Sequence, residues 1–308
     1  MSLGRFFLIR WIRVLMGLGD NSVKPPDNSQ TSQIKRALLV GINKYAMPGN
    51  DLNGCVNDVE DVYDLLTKEY GFEKDNVRVL TDERATKMDI IDRLHWLVDE
   101  TQAGDIAVYY HSGHGTRVRD RNGDELDDCL DECVVTHDHD WDNPLIDDIL
   151  ADIFKKLVDG AYLNVVVDTC HSGTITRNFS NPEDDKNVSR KTRFLMPPFD
   201  IAARSFSRDL PVRHFGEKFN LPGNQRHVLL SGCKDDQYSE ELYISGKVRG
   251  VLTHSMTSFL RSVLEPDTNW KMVRANVLEA IKKAGHEQIP QLSGMNELLK
   301  KEPFGGKV

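Results

Sequence analysis

Residues 163–173 read LNVVVDTCHSG, and residues 106–115 read IAVYYHSGHG. Each is an apolar run of strand length that passes directly into a polar turn containing glycine. In parallel α/β sheets ligands bind beyond the carboxyl ends of the strands, so these two turns are where chemistry belongs. One turn carries Cys170 and His171, the other His111 and His114. A thiol and an imidazole on adjacent strand ends form the minimal nucleophile and base pair. The glycines let backbone N–H groups come close to a substrate, as an oxyanion hole requires. Free cysteines are often small buried hydrophobes, but a polar turn after an apolar strand is a poor place for one. The residue types alone do not choose among His111, His114 and His171 as the base.

Outward from these strands the pattern alternates. Ala37–Val40 and Val77–Leu80 read as short strands, and His227–Leu230 as a later one. Val59, Val62, Tyr63 and Leu66 recur at helical spacing, with Asn57 as a start signal. Thr86 opens a second helix with the face Ile90, Ile91, Leu94, Leu97 and Val98. Ile149, Leu150, Ile153, Phe154 and Leu157 mark a third, and Leu252–Val263 and Met272–Ile281 two more. Strands alternating with helices predict an α/β fold with a mostly parallel central sheet flanked by helices on both faces.

The chain has 308 residues and a formal net charge of -9. That balance argues against general nucleic-acid binding, which wants a basic face. The charge is concentrated: residues 120–152 hold thirteen acids and one base, Arg121, so the rest of the chain is slightly basic. A solvated acidic loop is the plain explanation. A zinc set of Cys129, Cys133, His137 and His139 is too tightly spaced for the common patterns. Asp120–Asp124 lacks the glycine and glutamate positions of a helix–loop–helix calcium loop. Five scattered cysteines make no disulfide framework and fit a reducing, cytoplasmic setting.

Residues 1–18 are apolar but broken by Arg5, Arg10 and Arg13. They fit either a cationic amphipathic helix touching a membrane or partner, or a terminal helix docked on the protein itself. Residues 1–34 thus form a cationic segment and linker. Residues 35–176 carry the strand-end turns. Residues 177–225 are a proline-containing basic linker without sustained periodicity, and residues 226–308 resume ordered patterns.

SGHG after one strand and DTCHSG after the next resemble the metacaspase branch of the caspase-like cysteine peptidases. Residues 52–58, LNGCVND, and residues 231–237, SGCKDDQ, agree. The resemblance spans about residues 35–295 and implies a caspase-like fold. It implies His114 as the base, Cys170 as the nucleophile, and the N–H groups of Gly115 and Cys170 as oxyanion donors; no third triad member is evident. It also implies a pocket for Arg or Lys before the scissile bond, built from Asp58 and Asp168 with Cys55 and Ser112 beside them. Two confined carboxylates favour a cation and reject an acid. Calcium, in such relatives, is held by acids matching Asp131, Asp147 and Asp148, plus one seven residues past the cysteine. That last position is Arg177 here, a cation that removes a ligand, so either other acids substitute or calcium dependence is lost.

The expected activity is therefore hydrolysis of peptide bonds after Arg or Lys, by a monomer. The basic linker offers Arg177, Lys186, Arg190, Lys191, Arg193, Arg204 and Arg208 as points of self-cleavage, or is an uncut flexible loop. The competing readings are a catalytically idle caspase-like scaffold and an Asp-directed caspase-type protease. The Q-A-C-x-G signature of true caspases is absent.

Overall fold

The structure is a computed structural model. It describes residues 33–119, 130–170, 191–201, 227–232, 239–244, 246–263 and 267–308. Among these the strands are β1 (Lys35–Gly41), β2 (Val77–Thr81), β3 (Ile106–Ser112), β4 (Gly115–Arg119), β5 (Leu130–Val134), β6 (Leu145–Ile146), β7 (Tyr162–Asp168), β8 (Lys191–Thr192), β9 (His227–Ser231), β10 (Glu240–Ile244), β11 (Lys247–Gly250) and β12 (Gln291–Gly294). The α-helices are α1 (Cys55–Glu69), α2 (Lys87–Asp99), α3 (Asp147–Phe154), α4 (Val251–Ser262), α5 (Trp270–Lys283) and α6 (Asn296–Leu299).

The central sheet has the order β12-β9-β7-β3-β1-β2. All its pairings are parallel except that of β12 with β9. Every residue of β3 and of β7 is buried, which explains their largely apolar runs: helices cover both faces. Along β1 the faces alternate. Leu38 and Val40 join the cluster that includes Ile90 and Leu94 of α2 and Leu150 of α3. Ala37 and Leu39 join the cluster with Val62 and Leu65 of α1, Met256 of α4 and Trp270 of α5. The expected mostly parallel α/β sheet with helices on both faces is what the chain forms.

Register then places the chemistry. Gly41, Ser112 and Asp168 lie side by side at the carboxyl ends of β1, β3 and β7. A Cβ on Gly41 would sit 2.6 Å from the Cys55 carbonyl oxygen, so glycine here lets the start of α1 close over the sheet edge.

Three local expectations change. Helix α1 begins at Cys55 with Gly54 at its cap, not at Asn57; the Asn57 side chain instead donates to the Val248 carbonyl at 2.8 Å. Leu157 lies past the end of α3. The acidic window is not all solvated loop: β5 pairs antiparallel with β4, and Glu132 meets its cross-strand partner Arg117 at 3.3 Å. Among the described residues no helix is long and apolar enough to cross a membrane. Residues 1–18 and Arg177 lie outside the described residues.

Candidate active site

His114 sits between β3 and β4, and Gly115 begins β4. The ring Nε2 lies 2.8 Å from the carbonyl oxygen of Asn50. A carbonyl only accepts, so Nε2 carries the proton and Nδ1 is left as the basic nitrogen. Nδ1 is buried and has no hydrogen-bond partner among the described residues. The Asn50 carbonyl thus does the orienting work for which no third side chain was evident. Tyr45 braces the same histidine: its hydroxyl accepts from the His114 backbone N–H at 2.8 Å, and the two rings stand 4.9 Å apart. Burial pulls the His114 imidazole down to about 4, although the nearby Asn50 and Arg193 main chains favour its charged form. His114 is therefore neutral, and a base, at neutral pH.

The linker enters this site. Arg193 is fully buried, which corrects the expectation of an exposed basic loop at this position. Its carbonyl oxygen accepts from the N–H of Gly115 at 2.8 Å and from the N–H of Cys170 at 3.2 Å. Those are the two donors expected to form the oxyanion hole. Its guanidinium lies between two carboxylates: Nη2 is 2.6 Å from Asp58 Oδ2, and Nη1 is 2.9 Å from Asp168 Oδ2. Nη1 also donates to Ser112 Oγ at 3.0 Å, and Ser112 Oγ donates to Asp58 at 2.9 Å. Cys55 is buried beside them, and desolvation pushes its thiol up to about 12. Asp58, Asp168, Ser112 and Cys55 are thus all brought to one cation.

Burial works against the Arg193 charge, but the carboxylates of Asp168, Asp58 and Glu241 hold its guanidinium well above the ordinary range. Burial also pushes the Asp58 carboxyl up, to about 6, against the pull of Arg193 and with the added repulsion of Asp168. The pocket is therefore matched to a cation and costly to leave empty.

Several residues of this site carried no sequence signal. The Gly250 N–H donates to Asp58 Oδ1 at 2.9 Å, and a Cβ there would overlap the Asp168 carboxylate and the Arg193 guanidinium. Ser239 Oγ and Thr253 Oγ1 donate to Asp168 at 2.7 and 2.6 Å. Glu241, fully buried, accepts from the N–H groups of Asn53 and Gly54. Strand β8 pairs antiparallel with β10, and the Arg193 N–H donates to the Ser239 carbonyl at 3.0 Å. Residues 191–193 are therefore held in extended form, as a peptidase holds a substrate.

His111 is apart from this chemistry. It is buried, it meets the Tyr109 hydroxyl through Nδ1 at 3.2 Å, and burial drops its ring to about 3. His171 lies outside the described residues.

Asp131 and Asp147 are buried on β5 and at the start of α3, next to Asp148. Asp131 and Asp142 line a cavity of about 170 Å³. Among the described residues no three acids, histidines or cysteines group to hold a metal. Cys133 is buried, and His137 Nδ1 meets the Lys44 carbonyl, so the zinc pattern has no support among them either.

Comparison with known proteins gives the family. Residues 35–178 match the family model for the metacaspase, peptidase C14 domain. Metacaspase-1 of Debaryomyces hansenii is 30% identical over 309 residues, covering 90% of this chain and 68% of that protein. Metacaspase-1 of Saccharomyces cerevisiae is 28% identical over 306 residues, covering 89% and 69%. The crystal structure of a Geobacter sulfurreducens protein superposes with a TM-score of 0.64 at 25% identity, covering 88% of this chain and 98% of that one. The chain belongs to the metacaspase family of cysteine-type endopeptidases.

Proposed function

We propose that this peptidase cuts on the carboxyl side of Arg or Lys, and that its own Arg193–Phe194 bond is its first substrate. The observation that carries the reading is the double engagement of Arg193, side chain between Asp58 and Asp168, carbonyl oxygen on the Gly115 and Cys170 N–H groups. Cys170 gives its proton to His114, and the thiolate sulfur attacks the Arg193 carbonyl carbon. The C=O electrons move to the oxygen, where the two N–H donors hold the oxyanion. As the oxyanion collapses, the C–N bond breaks and the His114 imidazolium protonates the departing Phe194 nitrogen. The acyl group stays on Cys170 as a thioester. Water, deprotonated by His114, then attacks the thioester, releasing an Arg193 carboxylate and restoring the thiol.

Calcium enters this proposal as an activator only, bound through Asp131, Asp147 and Asp148; no chemical step passes through it. The hard carboxylate oxygens suit that ion. The thiol chemistry favours a reducing compartment such as the cytoplasm, where Cys170 stays reduced. The test is a fluorogenic peptide with Arg before the reporter, run with calcium and with chelator, followed by mass analysis of the chain. The expected result is calcium-stimulated hydrolysis and a cut after Arg193, both lost in Cys170→Ala. Hydrolysis that survives Cys170→Ala overturns the thiolate mechanism, preference for an Asp peptide overturns the pocket, and indifference to chelator removes calcium.

A further inference from the structure

The segment that fills the site continues past the scissile bond. Phe194 bridges to Gly115, and Leu195 is then anchored at both ends of its peptide unit. Its N–H donates to the Gly115 carbonyl at 2.9 Å, and its own carbonyl accepts from Thr116 Oγ1 at 2.8 Å. The Leu195 side chain is 4% exposed and belongs to the apolar cluster that includes Tyr45, Val134, Val135 and Leu145. Phe194 just before it is also buried, but the apolar residues that follow are not treated this way: Met196 is 53% exposed and Phe199 is 88% exposed. Position, not hydrophobicity, decides which side chain is taken in.

From this placement we infer a second specificity subsite: the enzyme selects substrates with an apolar side chain at the second residue after the cut, seated where Leu195 lies. The inference rests on the reading of Arg193–Phe194 as a bound substrate. An endopeptidase must clear residues 194–195 to admit another chain. Clearing them opens an apolar seat and strips the Gly115 carbonyl and the buried Thr116 hydroxyl of their partners. A new substrate restores both hydrogen bonds with its backbone whatever its sequence, but only an apolar side chain refills the seat. A carboxylate there would be desolvated among apolar side chains, with no cation in that cluster among the described residues to meet it. The substrate class is therefore bipartite: a base before the cut and an aliphatic residue two places after it.

The experiment uses the full chain and three peptides of one frame, Lys-Thr-Arg-Phe-X-Met, with X as Leu, Gly or Asp, each followed by mass spectrometry. The expected kcat/KM for Leu exceeds that for Gly by at least tenfold, and Asp falls lower still. Equal cleavage of all three after Arg overturns the subsite while leaving the proposed peptidase intact. Cleavage of none, or at bonds other than Arg-Phe, overturns the reading on which the subsite rests.

Discussion

The backbone N–H of Gly115 and the carbonyl oxygen of Arg193 stand 2.8 Å apart, joining the turn after β3 to the linker that follows the nucleophile. One hydrogen bond thereby ties the turn that carries His114 to the bond proposed as the first substrate. If that contact is productive, the charge on residue 193 decides whether the chain is cut. Arg193→Lys is expected to keep the cut after residue 193. Arg193→Glu is expected to abolish it and to destabilise the fold, because a third carboxylate then faces Asp58 and Asp168. Intact mass and thermal melting of the two variants check both outcomes.

Gly250 gives a test confined to the pocket. Its backbone, φ -70° and ψ 138°, is open to any residue, so Gly250→Ala leaves the turn into α4 unstrained. The added methyl competes for the space of the guanidinium. Overpacking of this kind costs about 1–3 kcal/mol, so kcat/KM for Arg peptides is expected to fall by roughly ten- to a hundredfold. Circular dichroism should be unchanged.

Asp58 sets a pH dependence on binding. With Arg193 in place its carboxyl lies at about 6; without a cation, Asp168 repulsion and burial drive it higher. Binding an Arg side chain therefore expels a proton, and binding tightens as pH rises. KM for an Arg peptide is expected to fall between pH 6 and pH 8. Asp58→Asn should show a high KM with no such slope.

Four buried histidines govern stability at low pH. Burial drops His111 to about 3 and His114, His139 and His227 to about 4. Their folded values lie below the unfolded value of 6.5, so the unfolded chain binds more protons between these limits. Stability is full above 6.5 and falls as pH drops toward 4, by on the order of 1 kcal/mol per pH unit for each histidine. Asp58, with its raised value, works the other way over part of this range. Urea midpoints are expected to be flat above pH 7 and to fall steeply from pH 6.5 to 5.

The sheet and its strand ends were legible because β3 and β7 are buried on both faces and so spell out largely apolar runs before HSGHG and DTCHSG. The surroundings of Asp58 and Asp168 were less so. Gly250 and Asn50 contribute through the backbone, which any residue type shares. Ser239 and Thr253 are ordinary hydroxyls made special by what folds against them. Strand β5 was hidden by its own acids, since Glu132 finds Arg117 only across the ladder. Arg193 was one base among several in the linker. Its distinction is a through-space one, the pairing of β8 with β10 beside two carboxylates from other elements.

That pairing has a kinetic meaning. A segment carried on the same chain meets its pocket at an effective concentration on the order of millimolar, whatever the protein concentration. Cutting after Arg193 adds a carboxylate but removes none of the contacts that Lys191, through its 2.8 Å hydrogen bond to the Asp51 carbonyl, and Arg193 make upstream of the bond. On the proposed cut, the enzyme would therefore still be full of its own product. The proposal then makes the departure of β8 the timer for activity on other proteins, a first-order clock within each molecule rather than a race set by how much substrate is present.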